Sequence, residues 1–217
     1  NLLPKAQGFF LSPSGNAAAI TSSDNGEFTV SFLTFSLIER AAPLPERLVS
    51  FRADDLQVSD WSPQEEEIIV ARTVAGQKTY AILSLRAPFT FTTLPIANAD
   101  ALFFDQSDAS FLFVQNTDNS IDRADRALLN KTRQPFLGKM IAQDADGIFL
   151  VAKGSLSLYH RNTGELTTLS DIHSLSPQSY RASNRRYAIV DPGTALLLIE
   201  RENGSVITVE RIKNSVL

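Results

Sequence analysis

The feature that most constrains the fold is a loose unit that returns five times along the chain. It reads as an aromatic residue, a polar turn and a short apolar run. FLSPSGNAAAI at 10–20 opens the series and WSPQEEEIIV at 61–70 repeats it. FDQSDASFLFV at 104–114 keeps the aromatic and the turn, and AQDADGIFLVA at 142–152 keeps the turn and the apolar run. RASNRRYAIVD at 181–191 follows Tyr180 at the aromatic position. Aligned on Ser12, Ser62, Asp105, Ala142 and Arg181, the copies lie 50, 43, 37 and 39 residues apart. A unit of about 40 residues buries little apolar surface alone, and stacked units at this period are the mark of propeller blades.

Each copy continues in the same rhythm. A turn signal follows the apolar run, as at Ser23 to Gly26, Ala75-Gly76-Gln77, Asn116 to Asn119, Lys153-Gly154 and Asp191-Pro192-Gly193. A third strand comes next at 28–35, 79–85, 120–126, 155–161 and 195–200, and a fourth at 47–51, 91–95, 134–138, 166–170 and 205–212. Asn162 to Glu165 and Glu202 to Ser205 read as tight hairpins, glycine supplying the positive φ such turns need. Asp122–Lys131 could form a short helix by propensity, but the rhythm predicts a strand and then a long loop. The chain is thus predicted to be all-β: a five-bladed β-propeller of four-stranded antiparallel blades. It would be one domain over residues 1–217, with blades at approximately 5–53, 54–98, 99–138, 139–174 and 175–217. The last copy supplies its own fourth strand, so closure would rest on packing between first and last blades. The structural alternative is an arc of a larger ring.

Within this frame VSDWSPQEEEIIVAR at 58–72 is one blade entry. Val58 to Trp61 reads as the innermost strand, Ser62-Pro63 as the turn and Ile68 to Val70 as a buried second strand, with Trp61 a wedge between blades. Glu65 to Glu67 read as a solvated tip.

The aromatic-Ser-Pro-polar pattern resembles the TolB-type propeller repeat, a WD-repeat-like architecture whose turn runs roughly Ser-Pro-Asp-Gly-Lys. Ser12-Pro13-Ser14-Gly15-Asn16 carries it best, and Trp61-Ser62-Pro63-Gln64 next; the other copies match in strand rhythm alone. The resemblance implies a propeller used for protein or ligand contact, often in bacterial cell-envelope proteins and often joined to other domains. It is also similar to propellers that gate some peptidases, although no peptidase segment is present here.

Composition narrows the chemistry. The formal charge of −4 argues against a nucleic-acid partner, which would need a basic face. No cysteine is present, which excludes disulfides, thiolate nucleophiles and cysteine-ligated zinc. Apolar runs break within about eight residues, so no membrane-spanning helix and no direct membrane insertion are expected. The opening Asn1-Leu2-Leu3-Pro4 reads as a domain excised from a longer protein. No Gly-x-Ser-x-Gly elbow occurs, and His160 and His173 read as loop histidines. Asp105 to Asp108, Asp118 to Asp122 and Asp144 to Gly147 resemble calcium loops only in part and read as β-turns, so neither metal nor cofactor is expected.

Recognition ranks higher. Innermost strands and their loops offer Asp60, Trp61, Phe104, Tyr180 and Arg181 as binding candidates, with Phe103, Lys139 and Met140 beside them; Trp, Tyr and Arg dominate interface energetics. Inter-blade packing would also explain the aromatics, and Arg181, Arg185 and Arg186 form a small basic cluster. The resulting expectation is a non-catalytic interaction module, binding a protein or small ligand through one face or the central channel. Its partner would be another protein or a domain of the parent chain, and its setting the cell envelope or another extracytoplasmic site rather than the cytoplasm. The alternative is a carbohydrate-active hydrolase or lyase using channel-facing carboxylates.

Overall fold

The computed structural model describes residues 6–34, 46–86, 89–96, 99–144, 146–170, 180–183, 186–191 and 196–209, the backbone alone at 46–48, 170 and 180–183. Among these residues there is no helix, and so none long and apolar enough to cross a membrane. Strands follow one another as meanders. The first sheet is β1 (Ala6–Leu11), β2 (Ala17–Asp24), β3 (Glu27–Thr34) and β4 (Glu46–Arg52). The second is β5 (Asp55–Trp61), β6 (Glu67–Val74), β7 (Gln77–Ser84) and β8 (Phe91–Thr93). The third comprises β9 (Ala99–Phe104), β10 (Phe111–Asn116), β11 (Ser120–Asp125) and β12 (Lys131–Leu137). The fourth holds β13 (Lys139–Gln143), β14 (Gly147–Ala152), β15 (Ser155–His160) and β16 (Leu166–Ser170). The fifth holds β17 (Tyr180–Ser183), β18 (Tyr187–Val190), β19 (Leu196–Glu200) and β20 (Val206–Val209). Two compact units result, Asn1–Thr117 with Asp122–Thr132, and Asp118–Ile121 with Arg133–Leu217.

In the first unit the second sheet is buried on both faces, and its sequence shows why. Successive side chains on a strand point to opposite faces. Ile68 and Val70 of β6, with Ala81 and Leu83 of β7, join the core shared with Ala17, Ala19, Phe28 and Val30 of the first sheet. Ile69 and Ala71, with Tyr80 and Ile82, join Leu102, Phe104, Leu112 and Val114 of the third sheet. A continuous IIV run is what a strand packed on both faces requires, and each such side chain contributes about 1.5–3 kcal/mol by leaving water. Trp61 wedges into the first of these cores, 5% exposed, its ring 6.3 Å from that of Phe32. In the second unit, Phe149, Leu156 and Leu158 of the fourth sheet pack with Ala188, Val190, Leu197 and Ile199 of the fifth.

Three sequence expectations are corrected here. The segment after β11 is a short turn rather than a long loop, because the Asp125 carboxylate accepts from the N–H groups of Leu129 and Asn130 and folds the chain back into β12. The tight hairpins lie between second and third strands, where Asn25-Gly26, Ala75-Gly76 and Lys153-Gly154 all have positive φ. Residues 161–165 and 201–205 form wider turns. The fourth repeat is anchored on Asp144 rather than Ala142: Asp144 N–H donates to Gly147 O, as Ser12 does to Ala17, Ser62 to Glu67 and Asp105 to Phe111.

Candidate functional site

The turn from first to second strand is where the sequence places its candidates, and its construction repeats. A short side chain with an acceptor oxygen opens each described turn and takes up amides inside it. Ser12 Oγ accepts from Ala17 N–H at 3.2 Å, and Ser62 Oγ from Glu66 and Glu67 N–H at 3.2 and 3.1 Å. Asp105 Oδ1 accepts from Ser107 N–H at 2.9 Å, and Asp144 Oδ1 from Asp146 and Gly147 N–H at 3.0 Å each.

Acidic groups at these turns are tied to neighbours. Glu65 accepts from Ser14 N–H at 2.6 Å and from Ser14 Oγ at 2.7 Å, joining the second sheet to the first. Glu66 pairs with Arg86 at 2.8 Å, and Glu67 with Arg126 at 2.6 Å, which joins the second sheet to the third. The expected solvated glutamate tip is therefore corrected to a set of connectors. Asp105, fully buried, holds Arg123 Nε at 2.7 Å, and that guanidinium lies 3.7 Å from the Phe111 ring centroid. In the second unit Arg201 grips Asp144 with both terminal nitrogens, at 2.7 and 3.3 Å, and lies over Phe149.

These arginines are the residues that sequence reasoning missed. Arg126, Arg161 and Arg201 stand just after the third strand of their sheets, and Arg86 two residues after. Each reaches a first-turn acceptor, Arg161 through Asp144 O and Gln143 Oε1. Their recurrence every 35 to 40 residues was visible in the sequence.

Asp60, Trp61 and Phe104 come together where the second and third sheets meet. Asp60 Oδ2 accepts from Phe104 N–H at 2.8 Å, Gln106 Nε2 donates to Trp61 O at 2.8 Å, and Ser59 Oγ donates to Leu102 O at 2.9 Å. A bulge between Val58 and Asp60 aims the carboxylate this way. Asp60 is half-buried, its carboxylate turned to the backbone of the third sheet. Burial pushes its pKa up to about 7, against the pull of hydrogen bonds from the Phe104 and Trp61 amides and the Gln106 side chain. Trp61 and Phe104 are themselves buried, and the Trp61 indole N–H finds no partner among the described residues.

Other candidates fall elsewhere. Tyr180 and Arg181 open β17, and their side chains lie outside the described residues, as do His173 and Arg185. Arg186 Nε donates to Glu200 Oε1 at 3.1 Å. Lys139 and Met140 begin β13. His160 Nε2 meets Thr167 Oγ1 at 3.1 Å. No cluster of three or more metal-ligating side chains occurs among the described residues.

Two clefts lie among the described residues. One of ≈ 370 Å³ is lined by Gln7, Thr21, Asp55 and Gln57 among others. The other, of ≈ 400 Å³ and lying within the second unit, is lined by Asp118, Asn119, Leu137, Gly138, Lys139, Val151, Ala152 and Lys153.

No protein-family model matches the sequence, and no curated protein does. Solved structures do match. TolB from Acinetobacter baumannii superposes with a TM-score of 0.67 at 15% identity, over 96% of this chain and 55% of that one. The fold is that of a β-propeller. Puromycin hydrolase is similar at a TM-score of 0.63 and 16% identity, over 94% of this chain and 37% of the other. A chain of the nidogen/laminin complex is similar at 0.61 and 9%, over 95% and 80%. The propeller here thus spans about half the TolB chain and less of the hydrolase, and identities this low speak to fold alone.

Proposed function

We propose that this chain is a five-bladed propeller acting as a non-catalytic interaction module of a larger bacterial cell-envelope protein. It binds a protein or small ligand through one face or the central channel. One observation carries this reading: four carboxylates in and beside the first turns, the acids a hydrolase or lyase there would draw on, are engaged in structural bonds. Asp60 is held by Phe104 N–H, Glu67 by Arg126, Asp105 by Arg123 and Asp144 by Arg201. Trp61 and Phe104 serve the module as framework, and Tyr180 and Arg181 are its recognition groups on the first strand of the fifth sheet. Among the similar structures, one carries a hydrolase's name and another is a complex of two proteins, so fold likeness supports either class. The bonded carboxylates favour the module.

The test is photo-crosslinking in the host. A photoreactive residue replaces Gln64 or Asp146, exposed at first turns, or Thr117 or Lys153, exposed at second turns. A discrete protein adduct from one of these sets is expected. Turnover of a glycoside or polysaccharide panel, abolished by Asp60→Asn and accompanied by no adduct, would overturn the reading in favour of the enzyme.

A further inference from the structure

We propose that Asn25-Gly26, at the tip of the β2–β3 hairpin, is a site of spontaneous deamidation and isoaspartate formation, and that the fold protects the second Asn-Gly step, Asn203-Gly204, from the same reaction. The reaction needs no enzyme. The backbone nitrogen of Gly26, having given up its proton, attacks the Asn25 carboxamide carbon. The new N–C bond closes a five-membered succinimide, and the side-chain nitrogen leaves as ammonia. Water then opens either carbonyl of that ring, giving aspartate, or isoaspartate with the main chain running through the former side chain. No electrons change hands, and solvent water is the only other reactant.

The turn itself creates the exposure. A two-residue hairpin between Asp24 and Glu27, which pair directly, asks for positive φ at both tip residues, and Asn25 and Gly26 have φ of 50 and 78. Ala75-Gly76 and Lys153-Gly154 fill the equivalent tips without a carboxamide, so the labile group is not something the turn requires. Asn25 and Gly26 are both exposed. Among the described residues nothing hydrogen-bonds to the Asn25 carboxamide or to the Gly26 N–H. No heavy atom beyond its chain neighbours lies within 4 Å of where a Gly26 Cβ would stand. Glycine leaves the attacking nitrogen unshielded, and ring closure needs only that this free tip open locally.

Asn203-Gly204 is the internal comparison. Asn203 Nδ2 donates to Glu200 Oε2 at 3.0 Å, and its Oδ1 accepts from Ser205 N–H at 2.8 Å. Gly204 N–H donates to Glu200 O at 2.9 Å, and a Cβ on Gly204 would stand 2.8 Å from Leu169 O, so this turn is braced against β16. The nitrogen that would attack is engaged as a donor, and the carboxamide is fixed at both its atoms. At Asn25, conversion leaves a new carboxylate between Asp24 and Glu27. The isoaspartate also puts an extra methylene into the main chain of a hairpin whose register is set by its two-residue tip.

The test is peptide mapping by mass spectrometry of the whole chain held in mildly alkaline buffer and sampled over time. Conversion of Asn25 to a mixture of aspartate and isoaspartate is expected, the isoaspartate read by methyl transfer from S-adenosylmethionine through an isoaspartyl methyltransferase. Asn203 should convert at least about tenfold more slowly, because its hydrogen bonds must open first. In urea, where neither turn persists, the two rates should converge. An Asn25 that keeps its amide, or equal rates at the two sites in the folded chain, overturns the proposal. A difference that persists unchanged in urea overturns it as well, since its cause would then be sequence and not fold.

Discussion

Asp60→Asn removes a carboxyl whose titration bears on the stability of the first unit. The Asp60 carboxyl has an ordinary pKa of 3.8 and one of about 7 in the folded protein. Between those values the folded state holds a proton that the unfolded chain has released, so stability falls as pH rises. The contribution is fully present below pH 3.8 and is lost as pH passes through about 7. A shift of that size corresponds to about 4 kcal/mol at most, and the partial solvent access of Asp60 trims this to about 2 kcal/mol. Asparagine can keep the acceptor for Phe104 N–H and removes the titration. The variant should match wild type near pH 4 and exceed it by about 2 kcal/mol near pH 8. Urea unfolding followed through Trp61, the one tryptophan and a neighbour of Asp60 in β5, reads this directly. Parallel wild-type and variant stabilities across that pH range would refute the reasoning.

Other perturbations test the remaining connectors. Arg201→Leu leaves Asp144 without its two-pronged partner and should cost about 2–3 kcal/mol in urea unfolding, while Asp144→Asn, which can keep the turn acceptor, should cost about 1. Gly138→Ala forces a side chain into a φ of +143 against Val151 O and should cost about 1–3 kcal/mol, read as a lowered urea midpoint. Trp61→Phe loses packing area but also removes a buried N–H without a partner, so a net change within about 1 kcal/mol is expected by circular dichroism.

The strand rhythm was legible because alternation and turn residues act locally. Ile68 to Val70, Leu156 and Leu158 declare their buried faces within a few residues. The turn anchors were half legible. Ser-Pro marks Ser12 and Ser62, but the position asks only for a short acceptor, so Asp105 and Asp144 fill it equally well. Where Ser-Pro is missing, as in the fourth repeat, the anchor was set two residues early, on Ala142 instead of Asp144. The ionic connectors were hidden for a different reason. Glu67 and Arg126 stand 59 positions apart, and Asp144 and Arg201 57, so no local pattern links them. Only the recurrence of arginine after third strands carries the signal.

This division bears on where function can be sought. At the first turns, the groups that look chemical in sequence are the ones that folding uses up. An acid that accepts an arginine from the next sheet gains a bond and loses its availability to substrate, as at Glu67 and Asp144. Mutating such a residue would lower stability and activity together and say little about mechanism. The cleft at Leu137 follows the opposite rule. Leu137 and Lys153 are exposed there, while Met140 and Leu150 on the paired strands β13 and β14 fill the interior. Substitution of such exposed side chains should leave the sheets standing, which makes them better probes of function than the buried acids.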